Sequence, residues 1–210
     1  MFRNACRAVA IIVVIFFCIS VPFSAFAQAG QGDAADQVRH ILDEVMAIQS
    51  NPQLAGDPHR PERKKRIQDI LAKNFDMDRM AKDALGGYWP KLQVNQQAEY
   101  TAVFRDLFQD SYTRLVLDFL KQEQIRYSPA ELKNGEALVK TVILRQDANI
   151  QVDYLLAPIK SGWRIHDVTI DGVSIVRKYE DAFSRVIRMK SYDELLEKLR
   201  LQQRAIQQNP

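Results

Sequence analysis

The side chains of this chain that suit acid–base, nucleophilic or metal chemistry are scattered rather than gathered. Its three histidines, His40, His59 and His166, fall in a helical stretch, a Pro-rich loop and a strand-like stretch, and no spacing sets two of them on one metal ion. His166-Asp167 has the residue types of a general base and its orienting acid. Neighbours along a strand point to opposite faces, however, so the two do not form a dyad by themselves. Ser174 follows Gly172-Val173 and lacks the G-x-S-x-G turn that exposes a hydrolase nucleophile, so it reads as the residue that opens a helix. Gly86-Gly87 is too little for a phosphate-cradling loop and reads as a helix stop. No catalytic residue, metal or cofactor is expected. The dense basic run holds Arg60, Arg63, Lys64, Lys65 and Arg66. It has two readings: a solvated helix face, or a contact with an anionic membrane or acidic partner, where each basic residue contributes about 1 kcal/mol.

The first residues say where such a chain works. Arg3 and Arg7 form a positive n-region, Val9 to Val21 an apolar core, and Ala25-Phe26-Ala27 a small-x-small cleavage site. The apolar core is shorter than the roughly 20 residues a spanning helix needs, and no stop-transfer pattern follows. Met1 to Ala27 is therefore expected to be a cleaved signal peptide, and residues 28–210 a single domain. Both cysteines, Cys6 and Cys18, lie in the leader, which leaves the exported part without a disulfide, thiol redox chemistry or a Cys-ligated metal. Losing Arg3 and Arg7 lowers the formal charge from +3 to about +1, which is no footprint for nucleic acid.

Helices are expected first. Val38, Ile41, Leu42, Val45 and Met46 share one face of a helix from about Asp36 to Gln49, which Asn51-Pro52 and Gly56-Asp57-Pro58 break. Pro61 suits the first turn of a second helix that ends near Asn74, with Ile67, Ile70 and Leu71 on its apolar face. Asp76 is placed to cap a short third helix, with Met80, Ala81, Ala84 and Leu85 inside. The longest helix is expected to start after Asn95 and run to about Lys121. Tyr100, Phe104, Leu107, Phe108, Ser111, Tyr112, Leu115 and Phe119 fall on one stripe of it. That stripe is either core packing against a sheet or the wall of an apolar pocket.

The period then changes from helical to alternating. Ala137 to Leu144, Ile150 to Leu156 and Trp163 to Ile170 read as three strands of a meander. Ile150, Val152, Tyr154 and Leu156 share one face, whereas Gln151 and Asp153 take the other. In the last strand Trp163 and Ile165 have one parity and Val168 and Ile170 the opposite, so either a bulge lies near His166-Asp167 or both faces are partly covered. After Asp171-Gly172 a helix presents Val176, Tyr179, Phe183, Val186 and Ile187 on one side, and Ser191-x-x-Glu194 is a capping box for a last helix. The fold class is α+β: N-terminal helices, an antiparallel β-meander sheet, and C-terminal helices that fold back over it.

The order of these parts resembles the MlaC (toluene-tolerance) family. The likeness is carried by Phe75-Asp76-Met77-Asp78-Arg79-Met80-Ala81, by Leu85-Gly86-Gly87-Tyr88-Trp89, by Gln97 to Tyr112 with Phe104-Arg105-Asp106-Leu107-Phe108, and by Asp167-Val168-Thr169-Ile170-Asp171-Gly172-Val173-Ser174-Ile175. It departs from the commoner pattern at Val94-Asn95-Gln96-Gln97 and in the Asn51 to Pro61 loop. The resemblance implies a periplasmic carrier that is no enzyme. Such a carrier holds phospholipid tails in an apolar pocket between sheet and helices and exchanges lipid with an inner-membrane ABC-type complex and an outer-membrane lipoprotein/porin complex. One branch of the family is associated with hopanoids. The residues expected to contact lipid are Trp89, Tyr100, Phe104, Leu107, Phe108, Tyr112, Leu115, Phe119, Val152, Tyr154, Leu156, Val176 and Phe183. The rival readings are an exported scaffold whose stripe is filled core, and a small hydrolase or isomerase using His166 or Asp167.

Overall fold

A computed structural model describes residues 31–120, 123–146 and 148–208. The leader read at Met1 to Ala27, and Lys121 at the expected end of the long helix, lie outside the described residues. The chain forms α1 (Gln31–Ser50), α2 (Arg60–Asn74), α3 (Met77–Leu85) and α4 (Val94–Phe119) before the sheet, then α5 (Ile175–Met189) and α6 (Tyr192–Gln208) after it. The strands among the described residues are β1 (Gln124–Tyr127), β2 (Glu131–Lys133), β3 (Glu136–Leu144), β4 (Ile150–Ile159), β5 (Gly162–Ile170) and β6 (Val173–Ser174). They make one antiparallel sheet in the order β1-β3-β4-β5-β6, with β2 pairing the other end of β3. The three strands expected from alternation are its centre. β1, β2 and β6 are too short for alternation to reveal them, and they owe their extended form to pairing.

Local chemistry explains most boundaries. The Asp76 carboxylate accepts from Arg79 N at 3.1 Å and caps α3. Ser174 accepts from Arg177 N at 3.0 Å and caps α5, and Ser191 does the same for Glu194 N at 3.1 Å ahead of α6. The start of α4 corrects the expectation at Asn95. Gln93 is the cap, with Gln96 returning its side chain to Gln93 N at 3.0 Å, so a glutamine box begins the helix earlier. At the other end, Gln49 of α1 donates to the carbonyls of Val116, Leu117 and Leu120 at 3.1, 3.2 and 2.8 Å. One amide thus bridges the carbonyls at the helix end, of which Val116 O also accepts from Leu120 N at 3.0 Å.

The sheet buries one face. Val139 and Thr141 of β3 and Val152, Tyr154 and Leu156 of β4 are buried, while Gln151 is exposed. The parity change in β5 is a bulge: Leu155 pairs Asp167 while Leu156 pairs Ile165, so His166 is the extra residue. α1 is fastened across the sheet by Gln37, which accepts from Trp163 N at 3.0 Å and donates to Trp163 O at 2.5 Å.

Candidate functional site

The bulge and the caps dispose of the residues that looked reactive. His166 turns inward and is 4% exposed, with its Nε2 3.3 Å from Glu136 Oε1. Asp167 takes the other face and serves as a joint. It accepts from Ser174 Oγ at 2.5 Å, from Val168 N at 2.8 Å and from Val176 N at 3.2 Å, which pins the start of α5 to β5. No base–orienter dyad forms between His166 and Asp167. Among the described residues no group of His, Cys, Asp or Glu is clustered to hold a metal.

The basic run resolves in favour of a solvated, compensated face. Arg60 pairs with Asp118 at 2.9 Å, Lys64 with Asp110 at 3.1 Å, Lys65 with Asp69 at 3.2 Å and Arg66 with Glu62 at 2.6 Å. Arg63 donates to the backbone carbonyls of Leu54 and Gly56. Each ion pair sets a carboxylate beside its cation, so little net field remains to attract an anionic surface.

What the fold does build is an apolar cavity of about 290 Å³. α1 contributes Ile41, Leu42 and Val45, and α2 contributes Ile67 and Leu71, with Phe75 just beyond it. The C-terminal half of α4 adds Tyr112, Leu115, Val116 and Phe119, followed by Leu120. Opposite stand Ile143 of β3, Ile150, Val152 and Tyr154 of β4, and Ile170 of β5. The inner wall is dry, with Ile67, Leu71, Phe75 and Tyr154 almost fully buried. The cavity opens where Leu115 is 38% and Phe119 54% exposed.

Polar groups in this wall are few, and they are occupied. The Tyr112 and Tyr154 hydroxyls hydrogen-bond to each other, joining α4 to β4. Burial pushes the Tyr112 phenol up to about 12 and Tyr154 well above its ordinary value, so neither ionises at physiological pH. Asp171 is the charged residue of the lining and stands exposed at its rim. It accepts from Gln151 N at 3.0 Å and donates its own N–H to Gln151 O at 2.9 Å.

The aromatic stripe of α4 divides at Tyr112. Ahead of it the rings pack in a row: Trp89–Tyr100 edge-on at 6.3 Å, Tyr100–Phe104 tilted at 5.9 Å, and Phe104–Phe108 and Phe108–Tyr112 stacked at 6.0 and 5.6 Å. Phe183 of α5 meets Tyr100 and Phe104 edge-on at 6.3 and 6.4 Å. Of the residues expected on a pocket wall, Tyr112, Leu115, Phe119, Val152 and Tyr154 are there. Trp89, Tyr100, Phe104, Leu107, Phe108, Leu156, Val176 and Phe183 are not. They pack in or against the solid core, because Tyr179 and Phe183 of α5 cover the first half of α4, whereas the second half faces the cavity. Ile41, Leu42, Val45, Ile67, Leu71 and Phe75 line the cavity unforeseen as site residues. Apart from Phe75, which follows α2, they lie on helix faces whose periodicity is visible, but periodicity says that a face is buried and not whether it meets side chains or space.

The profile of the MlaC protein family matches residues 39–201. The chain belongs to the MlaC family. Among solved structures, a phospholipid-binding protein from Ralstonia solanacearum, determined in complex with a phospholipid, superposes with a TM-score of 0.70 at 20% identity, over 83% of this chain and 98% of that one. At that identity the likeness establishes the shared α+β fold. No curated protein matches the chain in sequence.

Proposed function

We propose that the protein is a periplasmic carrier, exported by the Met1 to Ala27 leader. In this reading it holds phospholipid tails in the cavity between α1, α2, α4 and the sheet. It passes lipid between an outer-membrane lipoprotein/porin complex and an inner-membrane ABC-type complex. The observation that carries this reading is an apolar, open cavity that the protein's own side chains leave unfilled, in a chain of the MlaC family. An exported scaffold has no use for such a space, which forfeits packing along its whole lining.

The energetics suit a carrier. Burying acyl chains from water gains about 0.8 kcal/mol per CH₂, on the order of 20 kcal/mol for two long tails. A lipid in a bilayer already has that burial, so transfer into the cavity lies near balance and the partner complexes set the direction. Tyr112, Leu115, Phe119, Val152 and Tyr154 contact the tails, and the polar end stays at the rim beside Asp171. At about 290 Å³ the cavity stands at the small end of ligand pockets, so full-length tails need its walls to part.

The first experiment is organic extraction of protein purified from a lipid-replete periplasm, followed by mass spectrometry. Stoichiometric phospholipid is expected. Its absence there overturns the carrier reading, and a mature N-terminus other than Gln28 overturns the proposed leader.

A further inference from the structure

We propose that the outward face of α5 docks the protein on a bilayer containing anionic lipids. Arg177, Lys178, Arg185 and Arg188 are exposed on α5, opposite its buried Val176 and Phe183. At 100° per residue the four fall within an arc of about 100°. Asp181 is the carboxylate that shares this arc, so the face carries a clear positive excess. None of the four has a carboxylate within ion-pair distance among the described residues. This is the reverse of α2, whose denser run is matched by acids. The exported part is nearly neutral as a whole, so an uncompensated face makes it asymmetric, and an asymmetric charge orients a molecule in the field of a charged surface.

Apolar exposure beside this face favours a bilayer over an acidic protein. Asp171 at the cavity rim, the 56% exposed Val173 and the first turn of α5 follow one another in the chain. At the other end of α5, Met189 is 75% exposed beside Arg188. Basic side chains next to exposed apolar ones are the pattern of an interfacial surface, where cations meet head groups and apolar side chains enter the boundary layer. An acidic protein surface needs only the cations. The inference rests on the carrier reading, because the complexes with which a carrier exchanges lipid stand in membranes.

The test is co-sedimentation of the whole mature chain with phosphatidylcholine vesicles, with and without phosphatidylglycerol. Binding is expected to need phosphatidylglycerol and to weaken as salt rises. Arg185→Glu with Arg188→Glu is expected to lower it about 25-fold or more, at about fivefold for each basic charge lost. Lys65→Glu with Arg66→Glu makes the same change in net charge on the compensated face and is expected to bind as the parent does. The α5 variant should melt as the parent does, since it alters exposed, unpaired side chains, and the α2 variant should melt slightly lower, since two exposed i,i+4 ion pairs become like-charge pairs. Failure of the parent to bind phosphatidylglycerol vesicles, or equal loss in the two double variants, overturns the proposal. Cellular function lost in the α5 variant without any vesicle binding by the parent identifies an acidic protein as the partner and also overturns it. Lipid content is measured on the same preparations: protein that carries lipid but ignores vesicles refutes the docking alone, whereas protein without lipid refutes the carrier reading.

Discussion

His166 shows how a reactive residue type becomes a structural one. As the extra residue of a bulge it turns into the interior between β3, β5 and α3, where its Nε2 lacks a well-formed hydrogen bond despite the nearby Glu136. Burial first, and then the Arg79 guanidinium, hold the imidazole below its ordinary value of 6.5, although Glu136, Asp83 and Asp167 pull the other way. The unfolded chain takes up the proton more readily, so stability is complete above about pH 6.5 and is lost as pH falls through 6.5 toward the lower folded value. The melting temperature is therefore expected to fall more between about pH 7.5 and 5.5 in the parent than in His166→Gln. Parallel curves would assign the acid sensitivity to other groups. The same scale separates the two halves of the aromatic stripe. Phe104→Ala removes a ring packed against four others and should cost about 3–5 kcal/mol in urea denaturation. Leu115→Asp changes a partly exposed cavity residue, so it should empty the protein of extractable lipid while melting close to the delipidated parent. A Leu115→Asp protein that still carries lipid would remove this residue from the site.

At the scale of elements, one helix does two jobs because its neighbours differ along its length. α4 packs rings against α5 at its start and walls a cavity against α1 and the sheet at its end, and Gln49 holds that end in place. The close approach of α3 to α5 depends on Gly86, which sits at φ +51 and leaves a Cβ only 2.3 Å from Glu180 Oε1. A side chain there meets both a left-handed backbone and a carboxylate that must swing away. Gly86→Ala is expected to destabilise by about 1–3 kcal/mol, read as a lower urea midpoint at unchanged slope. A change in slope instead would show that the variant alters the denatured state. The elements themselves were legible, since α1 to α6 and the central strands announce themselves by period, proline and cap residues. β1, β2 and β6 were not, because strands of two to four residues carry too few positions for alternation and form through their partners.

For the whole molecule, an unfilled cavity and a ligand that fills it are linked by mass action. Lipid that binds only the folded state at about a hundred times its dissociation constant adds about 2.7 kcal/mol. Delipidated protein should consequently melt about 5 to 10 °C lower than protein as purified, and reloading with phospholipid should restore the difference. Equal melting curves for loaded and stripped protein would mean that the lipid occupies no folded-state site. The sequence alone determined the fold class, the order of the helices and central strands, and the faces these bury. These follow from 3.6 and 2.0 residue periods and from capping chemistry, which act within a few neighbours. It also pointed to the family, through a succession of short motifs that the matched profile bears out. Only the tertiary structure decided which buried faces meet and which leave space: Tyr100 and Phe104 find rings across from them, whereas Leu115 and Phe119, on the same stripe, find none. Tertiary contacts likewise decided which cations are free, because Arg60 and Lys64 are matched by Asp118 and Asp110, far along the chain. The physical reason is common to both. Packing and ion pairing depend on what stands opposite, and that is set by how the layers close.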